Sequence, residues 1–348
     1  MTEDTPTLGV PAAAPPSWAR RYRAGLLALS LALALAIGLT WWLRGGGDMR
    51  ADLLRLPKGL PMALTLDFQR VLALEVLASA LSSAPVQASL AEAKKQVGVD
   101  VLSLGTWTMG LRVQDGAVGL ISVLHGRFEV ETLRATLAKI PGVVSSTLGG
   151  LPASTMTLGQ PVDELVARLM PGSETPVVDG VPLPVIPDLH FQVRDDRTLL
   201  VGTRDLLDAW LEGGATLAED AELVAILDQE VSTDALGYGV GRWEENSPTA
   251  RAFQALQAAL LPQLGLPKMA DWPNSVAVFD FTVEDKRIAQ RLLYRLMDEA
   301  AATRLEAYLK ASHEASQKVT DAVMPMDYSV TRDGNDLRLK IGFSIPGL

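Results

Sequence analysis

The chain contains no cysteine among its 348 residues. Disulfide bonds and lipid attachment through a cysteine thiol are therefore excluded. The absence of cysteine is compatible with an oxidising compartment but does not require one.

Histidine is scarce, with three copies that lie far apart in sequence: His125, His190 and His313. Metal sites generally combine histidine or cysteine side chains at short helical or hairpin spacing. The segment "HEASQ" begins like the zinc motif HExxH, but Gln317 stands where the second histidine ligand would be. The sequence therefore predicts no metal site, and each histidine is interpreted as a lone surface or core residue.

The motifs of nucleotide and acyl-transfer chemistry are missing as well. The segment "GYGVGR" from Gly237 to Arg242 carries spaced glycines, but they lie within a predicted strand and no helix begins directly after them. A phosphate loop needs the turn from strand to helix, so these glycines are predicted to allow close approach of a neighbouring strand or side chain. Two pairs of neighbouring carboxylates, Asp195-Asp196 and Glu284-Asp285, fall at predicted hairpin turns. We interpret them as solvated turn residues and not as catalytic acids. No cofactor and no catalytic residue is predicted, although a serine or threonine nucleophile is left open.

Clusters of positive charge are lacking beyond the N-terminal region. After residue 44 the chain has 27 basic and 39 acidic residues. Nucleic acid and anionic membrane surfaces both reward clustered lysine and arginine. The acidic balance argues against both, and we interpret it as a property that keeps this part soluble.

One long hydrophobic run is present, from Ala24 to Leu43, without a charged residue. A helix of this length spans about 30 Å, the thickness of the bilayer core. A signal peptide has a shorter apolar region followed by a cleavage site, whereas here the run continues past the small residues. We predict a retained anchor that contacts the lipid bilayer, with these interfacial residues: Arg20, Arg21, Arg23, Trp41 and Trp42.

The charges beside the anchor predict its orientation. The arginines crowd the N-terminal side, so the N-terminus is expected in the cytoplasm of a bacterium and the C-terminal part in the periplasm or outside the cell. The anchor also has small residues four apart, at Ala28, Ala32 and Ala36. Such spacing lets transmembrane helices approach closely, so a homo-oligomer formed through the anchor is one possible partner interaction.

The part after the anchor shows the same order of elements twice. Strand, helix, two strands around Asp115-Gly116, helix and strand follow each other, and a similar order recurs from Ala235 to the hairpin about Asp333-Gly334. We predict an α+β protein: a single N-terminal transmembrane helix followed by two tandem βαββαβ-like (ferredoxin-like) units with antiparallel sheets. A single continuous sheet shared by both halves is the main alternative.

These patterns divide the chain into five segments. They are a Pro/Ala-rich cytoplasmic head, the transmembrane helix, a flexible tether, a first α+β unit with a connecting hairpin and helices, and a second α+β unit. Their predicted ranges are, in that order, 1–23, 24–43, 44–58, 59–232 and 233–348.

A proline-rich segment, "MPGSETPVVDGVPLPVIPDL", interrupts the first unit. Prolines exclude helix and central strand here, yet apolar residues alternate with them. The segment is either a loop packed over its own domain or a contact for a partner or ligand. Its candidate contact residues are Val177, Val178, Val181, Leu183, Val185 and Ile186.

Three classes of function remain. We favour a membrane-anchored, non-enzymatic cell-envelope protein whose external domain binds other envelope proteins as a scaffold. The alternative is a periplasmic carrier or sensor of an apolar ligand such as a lipid, with the proline-rich segment as a lid. The third class is an enzyme whose site carries no sequence motif.

Overall fold

A computed structural model describes residues 48–158, 160–161, 185–245, 247–251, 254, 273–284, 287–320 and 326–344. All of them belong to one compact unit that spans Thr40–Leu348. The predicted anchor, with Arg20, Arg21, Arg23, Trp41 and Trp42, lies outside the described residues. Among the helices of the described ranges, none is both long and apolar enough to cross a membrane.

The described strands form one sheet. Their bounds are β1 (Met62–Asp67), β2 (Thr106–Gln114), β3 (Ala117–His125), β4 (Val143–Leu148), β5 (Leu151–Met156), β6 (Gln160–Pro161), β7 (Val185–Ile186), β8 (Leu189–Val193), β9 (Thr198–Gly202), β10 (Gly237–Trp243), β11 (Ser275–Glu284), β12 (Arg287–Leu296), β13 (Met326–Asp333) and β14 (Asp336–Ser344).

The helices connect the strands and cover the sheet. Their bounds are α1 (Met49–Leu54), α2 (Phe68–Leu72), α3 (Glu75–Leu81), α4 (Ala84–Val97), α5 (Val130–Leu137), α6 (Arg204–Glu212), α7 (Ala221–Glu230) and α8 (Glu299–Thr320), with short 3₁₀ helices at Val101–Ser103 and Leu217–Glu219.

The strand order in the sheet is β13-β14-β12-β11-β10-β1-β2-β3-β9-β8-β5-β4. Every neighbouring pair along this path is antiparallel, and β7 adds one parallel pair with β3. The predicted α+β class with antiparallel strands is confirmed.

The prediction of ferredoxin-like units is wrong in its strand order. A ferredoxin-like unit separates its first two strands, whereas β1 pairs directly with β2, Asp67 opposite Thr106. Helices α2 to α4 return the chain to the end of the sheet where β1 stops, so β2 runs back beside it. In the same way β10 pairs directly with β11.

The two halves of the chain share the sheet. β1 pairs with β10 with Thr65 opposite Tyr238, and the amide of Asp67 donates to the carbonyl of Leu236 at 2.7 Å. Strands from both predicted units therefore belong to one continuous sheet, as the alternative of a single shared sheet requires.

Helices cover both faces of this sheet. On one face, the largest core cluster joins α1, α6 and α7 to both halves, with Leu207 of α6 and Ile226 of α7 packed against strand residues such as Val240. On the other face, α5 packs over β8 and β9 through residues that include Leu133. α8 packs over β12 and β14 on that second face through residues that include Leu305.

The predicted tether of residues 44–58 is partly folded. Asp48 caps α1 by accepting hydrogen bonds from the amides of Arg50 and Ala51 at 3.0 and 3.2 Å. Leu53 and Leu56 are fully buried in the core. The capped helix with Leu53 on its buried face, and Leu56 just after the helix, pack onto the sheet. A composition rich in glycine does not predict this.

Local turn and glycine predictions are confirmed. Asp115 and Gly116 have φ values of 53° and 74° and join β2 to β3, as a type I′ turn requires. Gly239 in β10 lies beneath the ring of Phe279, where an added Cβ would come within 2.3 Å of that ring. Gly237 and Gly239 thus admit neighbouring side chains, whereas Gly241 has only ordinary contacts.

The end of the proline-rich segment lies beside the β2–β3 turn. Val185 and Ile186 form β7, and the Val185 amide donates to the Gly116 carbonyl at 2.8 Å. Val177, Val178, Val181 and Leu183 lie outside the described residues. Their predicted contact role stays a prediction.

Candidate functional site: the open edge at β4

Among the described strands, β4 is the last on its side of the sheet, and the sequence pattern does not identify it as a separate strand. "VVSSTLGGLPASTMTL" suggests one returning strand, but the structure divides it into β4 and β5 around Gly149-Gly150. Both glycines have positive φ values, 55° and 78°, which a type I′ hairpin turn requires. The Gly-Gly pair between two strand-like runs is the signal that could have revealed this hairpin.

Among the described strands, only β5 pairs with β4. It pairs with β5 from Val143 opposite Met156 to Leu148 opposite Leu151. No described strand lies on its other side. An edge strand of this kind presents unpaired backbone groups to another chain.

The β4 edge lacks the usual protection of edge strands. The hairpin from Val143 to Met156 contains no charged residue, and its proline, Pro152, lies on the inner strand β5. The opposite edge strand, β13, carries Asp327, Arg332 and Asp333. Because charged side chains discourage strand addition, the two edges of the sheet differ in their capacity to pair.

Exposed apolar side chains gather beside β4. Val144 is 58% exposed, Leu151 is 44% exposed and Ile140, just before β4, is 37% exposed. The described part of the chain exposes six large apolar side chains in all, and the others are Met62, Val185 and Met297. Half of them therefore lie at one end of the sheet.

Polar side chains hold β4 to the rest of the sheet. The Thr155 hydroxyl donates to the Ser146 hydroxyl at 2.7 Å and lies 2.9 Å from His190 Nδ1. Gln192, which is fully buried, donates from Nε2 to the carbonyl of Leu148 at 2.6 Å. These contacts cross from β4 to β5 and β8, so the free edge is firmly positioned.

The lowered pKa of His190 predicts that the stability of the fold depends on pH. Burial, and next the positive charge of Arg204, lower the pKa of His190, while Asp188 and Asp208 act in the opposite direction. A histidine with a lowered folded pKa binds fewer protons in the folded state, so its contribution to stability is present above the unfolded value of about 6.5 and is lost as pH falls.

We therefore expect the free energy of unfolding to fall more steeply below pH 6.5 in the wild type than in His190→Gln. Glutamine keeps a polar partner for the Thr155 hydroxyl but does not titrate. Urea denaturation at several pH values between 7.5 and 5 measures the difference. Parallel curves for the two proteins would contradict this role of His190.

A polar groove of about 930 Å³ is a second candidate site. It opens beside the ends of β2, β3 and β9 and is lined by polar and charged side chains that include His125, Arg127, Asp195, Asp196 and Arg197. Its mixture of charges suits a polar ligand better than an apolar one. Across the described ranges, no three His, Cys, Asp or Glu side chains are grouped to hold a metal ion.

The histidine of the groove has a structural partner. His125 Nε2 lies 3.2 Å from Asp52 Oδ1, and the other carboxylate oxygen of Asp52 accepts a 2.6 Å hydrogen bond from the Thr106 hydroxyl. Thr106 is buried, so it is not accessible as a nucleophile. Asp52 thereby fastens helix α1 to the ends of β2 and β3.

The described end of the predicted contact segment does not lie at the β4 edge. β7, which contains Val185 and Ile186, pairs with β3, and three strands separate β3 from β4. Val185 and Ile186 thus lie on a part of the sheet distinct from the β4 edge.

Comparisons with known proteins give a structural likeness alone. No family model and no curated protein matches the chain. Among solved structures, the chain is similar to crystal forms III and I of TP0453, with TM-scores of 0.43 and 0.42 and 8% identity to each. The alignments cover 86% of this chain and 94% and 93% of those chains.

Proposed function

We propose that the chain is a membrane-anchored, non-enzymatic protein of the bacterial cell envelope whose external domain binds other proteins as an assembly scaffold. It would be a single-pass protein of the inner membrane, with a cytoplasmic N-terminus and a periplasmic C-terminal domain. The observation that carries the proposal is the uncharged β4 edge with its exposed apolar neighbours Val144, Leu151 and Ile140. Edge strands and clustered exposed apolar side chains are both features of protein-binding surfaces.

The shared sheet supports a scaffold role because it makes a long platform from one chain. We propose that its two halves are related units in tandem. β1, β2–β3, α5 and β8–β9 of the first half correspond in order to β10, β11–β12, α8 and β13–β14 of the second. In this correspondence the β4–β5 hairpin is an addition to the first half, so the proposed binding edge is a property of one unit.

The contacts around His125 in the groove also support a non-enzymatic role. Asp52 holds both His125 and the buried Thr106, which accounts for this cluster as a fixation of α1. The carrier of an apolar ligand stays an alternative prediction, and the groove that the described residues line beside β2, β3 and β9 is charged instead of apolar.

The test places a photo-crosslinking amino acid at Val144 in the full chain in bacterial membranes. The matched control carries the same amino acid at Ser329, an exposed position of the opposite edge strand β13. We expect protein adducts from position 144 and few from position 329, with the chain remaining in membranes after alkaline extraction. Absence of protein adducts at 144, or loss of the chain from membranes, would contradict the proposal.

A photoactivatable fatty acid tests the carrier alternative in the same membranes. Under the scaffold proposal, its adducts should be confined to peptides before residue 48. Abundant adducts on peptides of the external domain would favour the carrier instead.

A further inference from the structure

The turn geometry determines which backbone groups of β4 face outward. Leu148 and Leu151 close a two-residue hairpin turn, so they form a hydrogen-bonded pair. Pairs alternate along an antiparallel ladder, and hence Val143, Ser145 and Thr147 direct their amide and carbonyl groups away from β5. Pro152, opposite Thr147, fits this alternation because it has no amide hydrogen to give to β4.

The outward groups form a short and incomplete ladder. The Val143 amide is already used, since it donates to the Ile140 carbonyl at 3.1 Å. The amides of Ser145 and Thr147 remain, together with the carbonyls of Val143, Ser145 and Thr147. No described strand lies opposite them.

This set of donors and acceptors is complementary to itself. In an antiparallel pair of two β4 strands with Ser145 opposite Ser145, each Ser145 amide donates to the carbonyl of the other copy. Each Thr147 amide then donates to the Val143 carbonyl of the other copy. Every outward donor of both strands finds an acceptor, and Val143 lies opposite Thr147 as a favourable β-branched pair.

Charge distinguishes this pairing from other contacts between two copies. The formal net charge of the chain is −10, so two copies repel each other over most of their surface. The β4–β5 hairpin has no charged residue, and Val144 adds an exposed apolar side chain opposite Ser146. Pairing of β4 with β13 would instead place Asp327, Arg332 and Asp333 against an uncharged strand and would generate an open filament, not a closed dimer.

We infer that β4 is a homodimerisation edge, on which β4 of a second copy pairs antiparallel about a two-fold axis at Ser145. This inference rests on the proposed function, because it names a second copy as the partner of the protein-binding edge. A common membrane would hold both copies near each other, which strengthens a pairing that involves one strand from each.

The absence of native cysteine allows a direct test with Ser145→Cys in the full chain in membranes. The Cα atoms of a hydrogen-bonded antiparallel pair lie about 5.5 Å apart, within the range of a disulfide. Under mild oxidation we expect the disulfide-linked dimer to be the main product. The matched control, Ser329→Cys on β13, should remain mostly monomeric, and equal dimer yields for both variants would overturn the inference.

A second pair of variants tests the strand pairing without a disulfide. Ser145→Lys places like charges opposite each other across the two-fold axis, whereas Ser329→Lys adds the same charge to the other edge. The readout is photo-crosslinking from position 144 with a reagent that does not react with lysine amines. We expect a crosslinked dimer in Ser329→Lys and none in Ser145→Lys. The thermal unfolding midpoints of both variants should equal that of the wild type. Dimers that persist in Ser145→Lys would overturn the inference.

The outcomes separate this inference from the proposed function. If Ser145→Cys gives no self-linked dimer while position 144 links to a different protein, the second copy is wrong as partner and the scaffold proposal stands. If position 144 links to no protein at all, both fail.

Discussion

Replacing Arg291 with alanine should lower the free energy of unfolding by about 3 kcal/mol. Asp280 in β11 is only 2% exposed, and Arg291 in the neighbouring β12 donates to it from Nε at 2.9 Å and from Nη2. The hydrogen bond with Asp280 raises the pKa of Arg291. Without Arg291, the buried carboxylate retains the Ser232 amide, at 2.9 Å, as its hydrogen-bond donor, and an unpaired buried charge is strongly unfavourable.

The matched control is Arg287→Ala on the same strand. Arg287 pairs with Asp327, and both side chains are largely exposed, so we expect a loss below about 1 kcal/mol. Urea unfolding of the purified full chain in detergent, followed by far-ultraviolet circular dichroism, measures both variants. Equal losses would show that burial of Asp280 does not determine the strength of its ion pair.

The substitution Gly202→Ala should also be strongly destabilising, by about 3 kcal/mol. Gly202 in β9 lies opposite Ile121 of β3 and His190 of β8. An added Cβ would lie 2.3 Å from the carbonyl oxygen of Leu120 and 3.0 Å from the Cα of Ile121. Because both are backbone atoms in a sheet, no side-chain rotation relieves the contact.

Gly214→Ala is the control for this substitution. The nearest heavy atom to its added Cβ is the Ala209 carbonyl oxygen at 3.6 Å, an ordinary contact. We expect a change between zero and a stabilisation of about 1 kcal/mol, since alanine restricts the unfolded chain. Hydrogen exchange should show faster exchange in β8 and β9 of Gly202→Ala alone. A stable Gly202→Ala protein would contradict the clash.

Local sequence patterns predicted most of the elements of the fold. Asp115-Gly116 places the β2–β3 turn, and the alternation on either side gives its strands. The long helix α8 follows from acidic residues at its beginning and lysines later, as for Glu299 and Lys310. These features depend on neighbours in sequence, so the sequence alone contains their signal.

The strand order depends on contacts that sequence patterns do not record. Thr65 lies opposite Tyr238 and Leu64 opposite Gly239 across the β1–β10 pair. The sequence of neither strand predicts which strand it pairs with. A similar order of elements therefore fitted both two separate units and a shared sheet. The open edge escapes the sequence patterns for another reason: the run around Gly149-Gly150 has the pattern of a single strand, which hides β4 as a separate element at the end of the described sheet.

The β1–β10 pair has a consequence for synthesis of the chain. About 170 residues separate the end of β1 from the start of β10, so a ribosome adding roughly 5 to 20 residues per second needs about 10 to 30 seconds to make the partner strand. Until then, β1 is itself an outer strand of a half-built sheet, and its alternating "MALTLD" lacks a neighbour on that side. The nascent chain thus passes through an interval, before Gly237 leaves the ribosome, in which β1 is open to wrong strand pairing.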